Sequence, residues 1–215
     1  MTNPYQNIAP NKFWRSGVVE SNLENMDIFK NKFDIKPSDK IATAGSCFAQ
    51  NISKRLKQNN FTLLDVEPPP KDLPVALHEK YGYSLYSARY GNIYSVKQLR
   101  QLANEVKGDA RIDDFVWEND GKFFDALRPN VKPNGYNSKK DVIENRFNHL
   151  SQVRKMFENL DIFIFTMGLT EVWESKITKT VFPIAPGIIA GTFNKDLFEF
   201  HNSTFEEINH NSLIL

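Results

Sequence analysis

This chain has little of what marks a covalent or metal-built scaffold. Its 215 residues include one cysteine, Cys47, which excludes an internal disulfide and a cysteine-based zinc site. The four histidines, His78, His149, His201 and His210, lie far apart and match no metal-ligand spacing, so no metal and no cofactor is expected. An excess of charge of one sign is also missing. The net charge is +1 and the basic residues form no stripe, so neither nucleic acid nor an anionic membrane is an expected partner. No apolar run approaches the ~18 residues that span a bilayer. The opening Met1-Thr2-Asn3-Pro4-Tyr5-Gln6-Asn7 has no apolar signal region, which points to the cytoplasm. G-x-G-x-x-G, P-loop and H-E-x-x-H motifs are all absent.

What is present is a core. Hydrophobic residues make up 40% of the chain and aromatics 13%, and the 17 Phe residues are expected mostly inside. Residues 1–37 read as a loop-rich extension held onto the body by Phe13 and Trp14. The body runs from 38 to 215. Ile41-Ala42-Thr43-Ala44 reads as a short buried strand. A helix of about 49–59 follows, with Phe48, Ile52 and Leu56 on one face, and then a second strand at 61–66. The prolines at 68–70 and Pro74 open a long connection, 67–94. Residues 95–107 read as a helix, 115–125 as a β-hairpin around Asn119-Asp120-Gly121, and 139–159 as a long helix capped by Ser138. Residues 161–167 are nearly all apolar, the pattern of a central parallel strand covered on both faces. Together these elements predict an α/β fold, a three-layer α/β/α sandwich with a mainly parallel sheet. A final helix starts near Phe205, and the apolar Leu213-Ile214-Leu215 reads as cut, so the sandwich is expected to lack its C-terminal part.

The chemistry centres on Ser46. It follows a strand and precedes a helix, where free backbone N–H groups and the positive end of the helix dipole favour an anion such as the oxyanion of acyl transfer. Gly45 permits the tight turn. The plainer alternative is a serine that only caps the helix. No glycine follows two residues on, so this is not the G-x-S-x-G elbow.

Gly45-Ser46-Cys47-Phe48-Ala49 resembles the motif that names the GSCFA family, whose relatives belong to the SGNH/GDSL hydrolases. Ala88-Arg89-Tyr90-Gly91-Asn92-Ile93-Tyr94, Asp125-Ala126-Leu127-Arg128-Pro129 and Gly168-Leu169-Thr170-Glu171-Val172-Trp173 resemble it too, in order, over about 38–205. The resemblance implies a serine esterase or acyl-transfer enzyme acting on an acyl ester, with an O-acyl carbohydrate as a candidate. It implies Ser46 as nucleophile, with its own N–H and that of Gly91, beside Asn92, as oxyanion donors. Gly168-Leu169-Thr170-Glu171 takes the place of a G-x-N-D block, so Thr170 offers a hydroxyl where an amide is usual, and Glu171 or Trp173 is freed for substrate contact. The D-x-x-H that supplies a base is absent, and its expected place is beyond Leu215. His78 or His201 is the substitute within the chain. Cys47 is a rival nucleophile, or else a small buried residue. Arg89 and Arg128 are candidate anion contacts or structural ion-pair partners. Trp173 and Tyr94 are candidates for stacking on a sugar or for packing. The Asn202-Ser203-Thr204 sequon is discounted without a signal peptide. A non-catalytic module that binds a glycan or nucleotide-sugar is the alternative function.

Overall fold

The structure, a computed structural model, describes residues 3–22, 24, 28–112 and 114–213. Met1, Thr2, Ile214 and Leu215, on which the readings of the two termini lean, lie outside them. The chain forms two compact units, 1–36 and 37–215. In the first, a 3-10 turn (Pro10–Lys12) precedes a π-type turn (Arg15–Val19), and Tyr5 meets Phe13 edge to face at 6.4 Å. In this unit Phe13 and Trp14 are both exposed.

The second unit is built on β1 (Ile41–Ala44), whose four residues are all buried. It pairs in parallel with β4 (Ile162–Phe165), Ile41 opposite Ile162 and Ala44 opposite Phe165. The expected strand at 61–66 reduces to a single bridge, Leu63 to Ile41. Further along β1 its place is taken by Ser87, whose hydroxyl accepts the Thr43 N–H at 3.0 Å. β4 is parallel, as its composition demands, but not central. It ends the two-stranded sheet, and its residues are half-buried.

Helix α1 (Cys47–Gln58) starts two residues earlier than expected and turns a different face inward. Ala49 and Ser53 are its buried residues, whereas Phe48 is 64% exposed. The close packing at the end of β1 explains the choice: a β-carbon on Gly45 would stand 3.1 Å from that of Ala49, so only small side chains fit. Helix α2 (Val96–Lys107) opens on a capping box between Ser95 and Gln98, and α3 (Lys139–Asn159) on one between Ser138 and Asp141. The hairpin β2 (Val116–Asn119) and β3 (Lys122–Asp125) turns at Asp120-Gly121, both with positive φ.

Unforeseen from sequence is a three-stranded antiparallel sheet, β6 (Val181–Phe182), β5 (Glu171–Ser175) and β7 (Phe198–Asn202) in that order, followed by α4 (Phe205–Leu213). The fold is therefore mixed α/β with several small sheets instead of one large parallel one. One core surrounds β1 and β4 with Leu99, Leu102, Val153 and Met156. A second packs Trp117 against Phe182 at 4.9 Å, and Phe182 edge to face on Phe198 at 5.8 Å. Only Phe124, Phe182 and Phe198 of the phenylalanines are buried, because many others lie on faces left open to solvent. No described helix is long and apolar enough to cross a membrane.

Candidate active site

Gly45 sits at the carboxyl end of β1 with φ +143°, and a β-carbon there would come within 2.9 Å of the Thr166 carbonyl oxygen at the end of β4. Only glycine tolerates both demands. Ser46 follows in extended backbone at the N-cap position of α1. Its side chain makes no capping hydrogen bond, nor any other among the described residues, and it is half-buried. The hydroxyl faces the loop after β4: a β-carbon added to Gly168 would stand 3.5 Å from Ser46 Oγ.

Three segments meet at this turn. The Ile93 N–H donates to the Gly45 carbonyl at 2.9 Å. The Tyr94 carbonyl accepts from the N–H groups of both Gly168 and Leu169, at 2.9 and 3.0 Å. Gly168 thus has its N–H spent on positioning the loop. Gly91 turns the middle segment with φ +70°, and among the described residues neither its N–H nor that of Ser46 is hydrogen-bonded. Asn92 is held at both ends: Oδ1 accepts from the Tyr86 hydroxyl at 2.6 Å and Nδ2 donates to the Tyr94 hydroxyl at 2.7 Å. Gln50 of α1 donates to the Tyr86 oxygen at 2.9 Å, tying the segment to the helix that Ser46 begins. Burial pushes the Tyr86 phenol up to about 12, so it stays a donor at neutral pH.

The other sequence candidates fall in different places. Cys47 is exposed, not buried, in the first turn of α1. Thr170, just before β5, donates its one hydroxyl proton to Asn202 Oδ1 at the end of β7, at 2.6 Å. Glu171 is exposed at the start of β5, and Trp173 packs edge to face on Phe193 (5.7 Å) and Phe200 (5.6 Å). Arg89 is buried, stacked 3.9 Å over the Tyr83 ring, and donates to the carbonyls of Tyr81 and Val131. Arg128 pairs with Asp125 at 2.7 Å and bonds Asn145. His78 contacts the Leu73 carbonyl, and His201 pairs with Glu207 at 2.9 Å. Neither is hydrogen-bonded to Ser46. Among the described residues, no group of three or more His, Cys, Asp or Glu side chains has the arrangement of a metal site.

Sequence reading missed a buried charge cluster behind the 89–92 segment. Arg146 bridges Asp125 (3.2 Å) and Glu105, while Glu67 accepts from the Arg89 N–H at 2.6 Å and contacts His149 Nδ1 at 2.7 Å. Burial, helped by the Arg128 charge, pushes His149 down to about 4. The neutral ring donates from Nδ1 to Glu67, and its buried Nε2 has no partner among the described residues. Burial alone would raise Glu67, but the His149 hydrogen bond and nearby Arg128 outweigh it and hold the carboxyl below its ordinary value. Glu67 and His149 lie 82 positions apart, so no local pattern announces the pair.

A family model, described as the GSCFA family, matches residues 40–213. Comparison with curated proteins and with solved structures returns no match.

Proposed function

Because the chain belongs to the GSCFA family, we propose that it is an acyl-ester hydrolase or acyl-transfer protein of SGNH type, with Ser46 as the nucleophile. The observation that carries this reading is the Ser46 side chain: half-buried, without a hydrogen-bond partner among the described residues, and set where three loops converge at the carboxyl end of a parallel strand pair. On this reading the β1–β4 pair and its helices are the heart of a three-layer sandwich. Ser46 Oγ attacks the ester carbonyl carbon. The oxyanion forms against the unspent N–H groups of Ser46 and Gly91. The C–O bond to the alcohol breaks, the serine proton leaves with that alcohol, and water later releases the acid and restores the hydroxyl. Asn92 is a positioning residue whose two bonds fix the loop that carries Gly91. Thr170 is given no oxyanion role, since its proton is spent on Asn202.

Labelling with a fluorophosphonate, read by mass spectrometry, tests the assignment. A Ser46 adduct that disappears in Ser46→Ala is the expected result, and a folded protein with no adduct there removes the hydrolase reading. A second reading, a module that binds an O-acyl carbohydrate without turning it over, is favoured by the histidines. His78 and His201 are both engaged elsewhere. Saturable binding of an acetylated sugar without any Ser46 adduct is the result that selects it.

A further inference from the structure

We propose that the groove walled by Tyr94, Leu169, Trp173, Ile184, Ile188 and Phe200 is the acyl pocket of the Ser46 site, and that it takes a neutral apolar acyl group longer than acetyl. The inference rests on the reading of Ser46 as nucleophile and adds the class of substrate.

Position comes first. Two of the walls belong to the segments that frame the nucleophile. Tyr94 supplies the carbonyl that holds Gly168 and Leu169, and Gly168 stands against Ser46 Oγ. The groove, about 370 Å³, also shares Tyr94, Pro183 and Ile184 with a smaller cavity of about 60 Å³ beside Gly91 and Asn92. The groove thus borders the two segments that frame Ser46 and adjoins the Gly91 loop.

Chemistry comes second. Apart from Gln98 and Glu171, the lining is aliphatic or aromatic. Gln98 Oε1 is already occupied by the Tyr94 N–H at 2.9 Å and the Ser95 N–H at 3.2 Å. Leu169, Ile188 and Phe200 remain 43%, 69% and 57% exposed, a concentration of apolar surface that water does not favour and a hydrocarbon chain would cover. Glu171 is an exposed carboxylate among these walls, and it opposes an acyl group ending in a second carboxylate. An acetyl group would leave most of this surface uncovered.

The test measures binding and labelling separately. Hexanamide and acetamide are titrated into the protein while the Trp173 indole N–H is followed by NMR. Hexanamide is expected to shift that signal and to bind at least about tenfold tighter than acetamide, through its extra methylenes. Ile188→Asp, at an exposed position, should weaken hexanamide by about tenfold or more while leaving the unfolding midpoint in place. Equal affinity for the two amides, or shifts confined to other parts of the chain, overturns the proposal even if a fluorophosphonate labels Ser46. Hexanamide bound at Trp173 in a protein whose Ser46 takes no label also overturns it, because the groove would then bind without serving a nucleophile.

Discussion

The Ser46 turn and the charge cluster behind the 89–92 segment are neighbours in the fold and opposites in chemistry. In the cluster the side chains of Arg128, Asp125, Arg146 and Glu105 are all 5% exposed or less, and each is matched to an opposite charge. At the turn, one hydroxyl and two backbone N–H groups have no partner among the described residues, and the residues that carry them, Ser46 and Gly91, are only half-buried. Polar groups that saturate one another build scaffold; polar groups left unsaturated at an accessible point are free to meet a substrate. Arg89 and Arg128, attractive as anion contacts in a motif, belong to the first kind.

Removing one member of the saturated set should give the largest effect. Asp125→Ala leaves Arg128 and Arg146 buried without their shared carboxylate and is expected to cost about 3–5 kcal/mol in urea unfolding. A loss below about 1 kcal/mol would mean that the cluster is not scaffold. Acid should come next. His149 is neutral in the fold, with its pKa lowered from 6.5 to about 4, so the unfolded chain binds the extra proton first. Stability should therefore fall by roughly 3 kcal/mol as pH drops from 6.5 to about 4, and His149→Gln should flatten that slope. Glu67, held below its ordinary value, adds a further loss below about pH 4.5. A smaller effect is expected of Gly45→Ala, which forces a side chain into positive φ and against Thr166. About 1–3 kcal/mol is anticipated, with Ser46 labelling slowed as the turn shifts. The smallest belongs to Ser46→Ala. With no cap hydrogen bond to lose, it should change stability by less than about 0.5 kcal/mol while abolishing the adduct. A loss near 1 kcal/mol or more would show that the hydroxyl caps the helix in solution after all.

Legibility followed the range of the interactions. Helix α3 was readable because its signals are local: helical spacing and a serine cap at Ser138. The hairpin turn at Asp120-Gly121 was equally local. The β5–β6–β7 sheet was not, because strands of two to five residues acquire their register from partners across gaps of irregular chain, as Val172 does from His201. Amphipathic spacing misled at α1, where close approach to β1 selects Ala49 and Ser53 over the larger Phe48. At the site, Ser46 and the turn-permitting Gly45 stood out in sequence. The Gln50–Tyr86–Asn92–Tyr94 chain that braces them did not, since its members are generic residues until folding joins them.

β4 ends its sheet with a row of backbone groups that no described strand pairs. Beside it Phe157, Leu160, Phe163, Phe165 and Val106 line a groove of about 490 Å³, with Arg154 and Glu158 at hand. Ile162-Phe163-Ile164-Phe165 is also β-prone, uncharged and free of proline, the composition from which intermolecular zippers grow. Colloidal behaviour follows from this: in concentrated solution the open edge of β4 offers chains a place to stick together, and a lysine placed on that strand would act as a gatekeeper.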